Sequence, residues 1–154
     1  MAENPDATDW AILVEVQRDG RIPLTELARR VNLSASATTE RVKRLEAAGV
    51  ITGYRATVDL AKAGFSLLAV VGLKYRGHQH EPLRKLLDER SEILECLRTT
   101  GDDCYMLKVA AASMAHLETL VDELGQFGDT TTNLVYSQTL PYRGLRQPSL
   151  APPA

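Results

Sequence analysis

A chain of 154 residues, 44% hydrophobic and 25% charged, has room for one ordinary domain or two small ones and the composition of a soluble globular protein. No apolar run approaches the roughly 18 residues of a membrane span, and no signal segment or lipidation box is recognisable, so membrane proteins are excluded and a cytoplasmic location is expected. The formal net charge of −2 hides an asymmetry: Arg18 to Arg55 holds eight basic and four acidic residues, Gly77 to Val135 five and eleven, so that only one end is suited to meet phosphate.

Met1 to Ala7 is polar and expected to be loose. Thr8 or Asp9 is expected to cap a first helix running to Arg18, with Ile12, Leu13 and Val16 inward and Trp10 in packing. Asp19-Gly20 makes a turn. Pro23 then suits the first position of a second helix, because its missing N–H would have no partner there. Leu24, Leu27, Ala28 and Val31 recur at i, i+3, i+4 and i+7 and form one buried face. Asn32 tolerates the left-handed conformation that ends this helix, Leu33 re-enters the core, and Ser34 offers a hydroxyl cap to a third helix running to Ala48. That helix buries Thr38, Val42 and Leu45, and Gly49 ends it. Two short helices joined by a tight break form a helix-turn-helix. The exposed face of the second carries Ser36, Glu40, Lys43 and Ala47, flanked by Thr39 and Arg44. Short hydroxyls at its start and cations farther along suit a helix that enters a major groove.

The expected contacts to double-stranded DNA are therefore Ser34, Ser36, Thr39, Glu40, Arg41, Lys43 and Arg44. Lys43 and Arg44 are the clearest phosphate or base contacts. Glu40 is either solvated or an acceptor from a cytosine amino group. Arg41 lies beside the buried face, where it either ties the helix to acidic neighbours or reaches phosphate; the phosphate reading is favoured because a DNA edge needs cations.

Ile51 to Leu60 reads as a strand and connector, and from Leu67 the hydrophobic period changes. Strands are expected at Leu67–Tyr75, Ile93–Thr99, Cys104–Ala111 and Thr130–Leu140, and helices at His80–Glu89 and Met114–Phe127. The order βαββαβ is the split, ferredoxin-like arrangement. The fold class is thus α+β: an N-terminal winged helix-turn-helix domain (1–50), a strand and linker (51–66), a ferredoxin-like domain (67–140), and a flexible, proline-rich tail (141–154) expected to be disordered beyond Arg146. Two helices cover one face of such a sheet. Leu68, Val70, Leu94, Leu107, Val109 and Val135 are expected to include the uncovered face, which a second subunit would bury. Cys96 and Cys104 lack metal or redox spacing and are expected to be buried thiols. His78 and His80, without a third ligand nearby, and His116 give no metal site.

The runs Leu27-Ala28-Arg29-Arg30-Val31, Arg41-Val42-Lys43-Arg44-Leu45-Glu46 and Gly49-Val50-Ile51 closely resemble the N-terminal half of the Lrp/AsnC, or feast/famine, regulators, as do Asp9 with Ile12-Leu13, Asp19-Gly20-Arg21, Leu33-Ser34 with Ser36, and Gly53-Tyr54. The βαββαβ half is similar to that family's ligand-sensing domain. The resemblance implies a sequence-specific transcriptional regulator that binds a pseudo-palindromic operator as a homodimer, with tetramers or octamers in some members. It also implies an amino-acid effector and no other cofactor. Family members carry a Gly-Asp-x-Asp-Tyr run lining the effector site, here Gly101, Asp102, Asp103 and Cys104 before Tyr105, and two threonines on the last strand matching Thr130 and Thr132. Cys104 stands where the second acid is expected, and Asp103 lies one residue earlier. The alternative is an enzyme resembling the siroheme decarboxylases, which share the two-domain plan; the absence of a nucleophile–base pair and the presence of Lys43 and Arg44 place it second. An architectural DNA-binding protein without sequence preference is a third reading.

Overall fold

The structure is a computed structural model and describes residues 4–77 and 80–148. The chain divides into two compact units, Met1–Thr57 with Leu140–Ala154, and Val58–Thr139.

The first unit holds α1 (Ala7–Arg18), α2 (Leu24–Arg30) and α3 (Ala35–Ala47). The cap of α1 is Asp6, not Thr8 or Asp9: Asp6 and Asp9 accept each other's backbone N–H in a reciprocal capping box. Asn32 has φ 56° after α2, and Leu33 N–H donates to the Ala28 carbonyl at 3.0 Å, which closes the helix end and turns the chain toward α3. Ser34 caps α3 as expected, its hydroxyl oxygen accepting from Ala37 N–H at 3.2 Å. Ile12, Leu13, Leu27, Val42 and Leu45 form the core, with Trp10, Val16, Ile22, Val31, Leu33 and Ile51 packed on it. At about 1.5–3 kcal/mol for each fully buried aliphatic side chain, this small core supplies most of the attraction between the helices. Thr38, fully buried among them, returns its hydroxyl to the Ser34 carbonyl at 2.9 Å.

The expected strand at 51–60 does not form. A strand needs a ladder partner, and among the described residues none lies beside this segment. Its anchor is Tyr54, whose hydroxyl donates to Glu46 at 2.9 Å; burial, then Glu46, pushes that phenol up to about 12. The tail also departs from a free segment. Leu145 N–H donates to Gln17 Oε1 at 2.7 Å, and Gln17 Nε2 donates back to the Leu145 carbonyl at 3.0 Å. Gly144 lies so close that a Cβ there would come within 2.8 Å of Gln17. Most of the stretch expected to be disordered beyond Arg146 lies outside the described residues.

The second unit holds β1 (Leu67–Tyr75), α4 (Glu81–Glu89), β2 (Ile93–Arg98), β3 (Tyr105–Ala111), α5 (Met114–Gly125) and β4 (Gly128–Leu134). Its sheet order is β2-β3-β1-β4, the interleaved pair of split βαβ units. The strand β4 stops short of Leu140 because β1 ends: Val135 N–H makes a last bond to Leu68, near the start of β1. One face of the sheet packs Ala69, Val71, Leu73, Tyr105, Leu107 and Val109 against Leu83 of α4 and Leu117, Leu120 and Leu124 of α5. Leu107 and Val109 therefore belong to the covered face, which corrects the expectation above. Side chains alternate along a strand and directly opposed residues share a face, so Leu68 and Val70 lie with Ala110 and Lys108 on the open side.

Glu26 on α2 accepts from Arg29 and Arg30 at 2.8 Å, and Arg30 also reaches Glu15 of α1. The two guanidiniums hold the Glu26 carboxyl down to about 2, from an ordinary value of 4.5. A depressed carboxylate contributes stability above its unfolded value and loses it as pH falls through the folded value. The contribution is therefore complete above about pH 4.5 and is lost toward pH 2. In acid titration followed by circular dichroism, Glu26→Gln should remove this component, and a limb identical to wild type would contradict the pairing.

Candidate nucleic-acid interface and effector site

The residues of α3 divide by what they touch. Ser34 and Ser36 are exposed at its N-terminus with their hydroxyls 3.1 Å apart. Thr39 is half-buried and donates to the Ala35 carbonyl at 2.8 Å, so its hydroxyl proton is already used within the helix. Glu40 and Lys43 are exposed and have no side-chain partner among the described residues.

Arg41 and Arg44 behave differently. Arg41 Nη1 donates to Asp6 and to Asp9, both at 2.8 Å. Arg44 Nη2 donates to both oxygens of Asp9, at 2.9 and 2.8 Å. Asp9 is only 3% exposed. A carboxylate removed from water is tolerable when several donors surround it, and here two guanidiniums and the Asp6 N–H do so. Arg41 thus makes the acidic tie that was the second of its two readings, and the pairing holds its guanidinium further toward the charged form. The Asp9 N–H, then Arg41, hold the Asp6 carboxyl below its usual range. Sequence reasoning did not place Asp6 and Asp9 at this site. The available signal was their capping-box spacing just before the first apolar residues.

The hairpin between β2 and β3 gathers Gly101, Asp102, Asp103 and Cys104. Gly101 has φ +116°, open to glycine and strained for any other residue. Thr99 stitches the turn, its hydroxyl donating to the Asp103 carbonyl at 2.5 Å and its N–H to that of Cys104 at 2.9 Å. Cys104 packs at the margin of the helix-side core, and both cysteines are free and half-buried. The Asp103 carboxylate instead lies over Gly72, where a Cβ would come 2.5 Å from Oδ2. Gly72 is opposite Met106 and Thr131. Thr130 and Thr132 are opposite Leu73 and Val71, whose side chains are in the covered core. Asp103 and the two threonines therefore lie on opposite faces of the sheet within one chain, and Thr131 shares the face of Asp103.

At the same end of the sheet a hollow of about 370 Å³ is lined by Tyr75, Gly77, Phe127, Gly128 and the ion-paired Arg76 and Asp129. Beside it His80 Nδ1 lies 2.9 Å from the Tyr105 hydroxyl, while His116 pairs with Glu92 at 2.8 Å; His78 lies outside the described residues. No group of three or more potential metal ligands occurs among the described residues, nor is any helix there long and apolar enough to cross a membrane.

Lys43→Ala should leave thermal stability within about 0.5 kcal/mol of wild type, as for a surface substitution, while flattening the salt dependence of DNA binding by about one charge. Arg41→Ala should lower the melting temperature, because it strips a donor from a buried carboxylate. Equal melting temperatures for the two variants would refute that division of labour.

Two family models match the chain: a winged helix-turn-helix DNA-binding model over residues 5–52 and the Lrp/AsnC ligand binding domain over residues 68–145. The HTH-type transcriptional regulator LrpC of Bacillus subtilis is 31% identical over 86% of this chain and 92% of its own length. Its solved structure superposes with a TM-score of 0.87 at 29% identity, covering 91% of this chain and all of that one. A transcriptional regulator of Neisseria meningitidis, solved as its L-methionine complex, superposes at 0.85 with 28% identity, over 91% of this chain and 95% of that one. The named relatives are regulators and not enzymes, which disfavours the tetrapyrrole-enzyme reading.

Proposed function

Because the chain belongs to the Lrp/AsnC family of DNA-binding transcriptional regulators, we propose that it binds its operator sequence-specifically and that a small effector, an amino acid, alters its assembly or its affinity for DNA. The observation that carries this reading is the joining, in one chain, of an α3 with exposed Ser36, Glu40 and Lys43 to an Lrp/AsnC ligand binding domain. The relative bound to L-methionine supports an amino acid as the class of effector. In that role the exposed backbone of Gly101 would receive the carboxylate, and Asp102 or Asp103 the ammonium. Thr130 and Thr132 lie across the sheet from Asp103, so their participation calls for a site built from more than one chain.

The open sheet face, where Leu68, Val70, Met106 and the exposed Leu97 are uncovered within one chain, supports a homodimer. Two α3 helices so paired would address a pseudo-palindrome whose spacing reports the dimer geometry. A site in the cytoplasm suits such a regulator.

The test is binding to the promoter of its own gene at two salt concentrations, with and without a panel of amino acids. Salt-sensitive, sequence-selective binding altered by one amino acid is expected. Selective binding indifferent to every amino acid would remove the effector, and unselective binding would favour an architectural role. Gly72→Ala should weaken the effector response at least several-fold in titration calorimetry, since its methyl displaces the Asp103 carboxylate; an unchanged response would take Asp103 out of the site. Val70→Asp should yield a smaller species on sizing, and an undiminished assembly would move the subunit interface elsewhere.

A further inference from the structure

Arg44 is held by one nitrogen only. Its Nη2 is engaged by Asp9, whereas Nε and Nη1 have no partner among the described residues. The side chain is 54% exposed, against 27% for Arg41, whose guanidinium is drawn between Asp6 and Asp9. Asp9 itself cannot move far. It is the third residue of α1, its backbone N–H is tied to Asp6 at 2.7 Å, and its carboxylate is almost completely buried. A guanidinium is planar, so fixing one nitrogen on a rigid acceptor leaves only a narrow range of directions for the other two.

We infer that Asp9 is a positioning residue for DNA recognition: it orients Arg44 so that Nε and Nη1 donate to a backbone phosphate of the operator. The partner is phosphate and not a base edge. Arg44 stands beside the α1-facing side of α3, next to Arg41, while Ser36, Glu40 and Lys43 occupy the outward side. Arginine is required because its separate nitrogens can serve two anions at once. Lysine would have to bring the buried carboxylate and the phosphate onto a single nitrogen. Arg41 then serves chiefly to neutralise the acidic pair and leaves Arg44 for DNA.

The inference rests on α3 being the helix that meets DNA, so the experiment separates the two. Binding of the full-length chain to its own promoter fragment and to unrelated DNA is compared for wild type, Lys43→Ala, Arg44→Ala, Arg44→Lys and Asp9→Asn, with Asp9→Asn also combined with each of Lys43→Ala and Arg44→Lys. Arg44→Lys is expected to lose about as much affinity as Arg44→Ala, about tenfold, and equally on both DNAs. Asp9→Asn should lose a similar factor. Adding Arg44→Lys to it should lose little more, whereas the losses of Asp9→Asn and Lys43→Ala should multiply. A purely structural role for Asp9 would make both combinations multiply alike and would overturn the inference, as would Arg44→Lys binding like wild type. Lys43→Ala binding like wild type would overturn the reading of α3 together with the inference. Should Asp9→Asn fail to fold in a thermal melt, the comparison of Arg44→Lys with Arg44→Ala decides.

Discussion

One carboxylate in the interior of the first unit governs how α1 and α3 meet. Apolar contacts among Ile12, Leu27, Val42 and Leu45 pull α1, α2 and α3 together but are tolerant of rotation about a helix axis. The contacts from Asp9 to Arg41 and Arg44 are not, because hydrogen bonds to a buried anion are directional and losing one leaves part of its charge without a partner. The roll of α3 is set there, and with it the set of side chains that faces outward. The same residue fastens the start of α1 through its bond to Asp6, so α1 and α3 share one anchor.

In the second unit the corresponding constraint is the strict alternation of side chains. Moving by one position in a strand exchanges the helix-covered core for the open face. In the turn just before β3, Asp103 and Cys104 also part: the cysteine packs at the edge of the core, while the acid lies over Gly72 on the other side. The glycine matters because the acid occupies the space of the missing side chain. An acid one residue later would present its carboxylate to different surroundings.

Most of the first unit was legible because its signals are local. The left-handed Asn32, the hydroxyl of Ser34, Gly49 and the apolar spacing from Leu24 to Val31 each act within a turn of helix, and each predicted helix formed. The tie of Asp9 to Arg44 spans 35 positions, and no periodicity records it; exposed arginines on a DNA-reading helix look alike until their partners are located. The open sheet face was misassigned in part for a related reason. Leu107 and Val109 are as apolar as Leu68 and Val70, and only the pairing register shows that they point to opposite sides. The strand expected after Ile51 failed because strandedness depends on a neighbour, which composition cannot supply.

The pairing of Gln17 with Leu145 changes the topology of the protein. The helical unit is thus assembled from two stretches of chain that lie on either side of the sheet-bearing unit in sequence. A unit made from two distant stretches is complete only when both are in place, so its last contacts form after everything between them has been synthesised. The reciprocal bonds of one glutamine amide are the tie by which the later stretch joins α1, the helix that also carries Asp9.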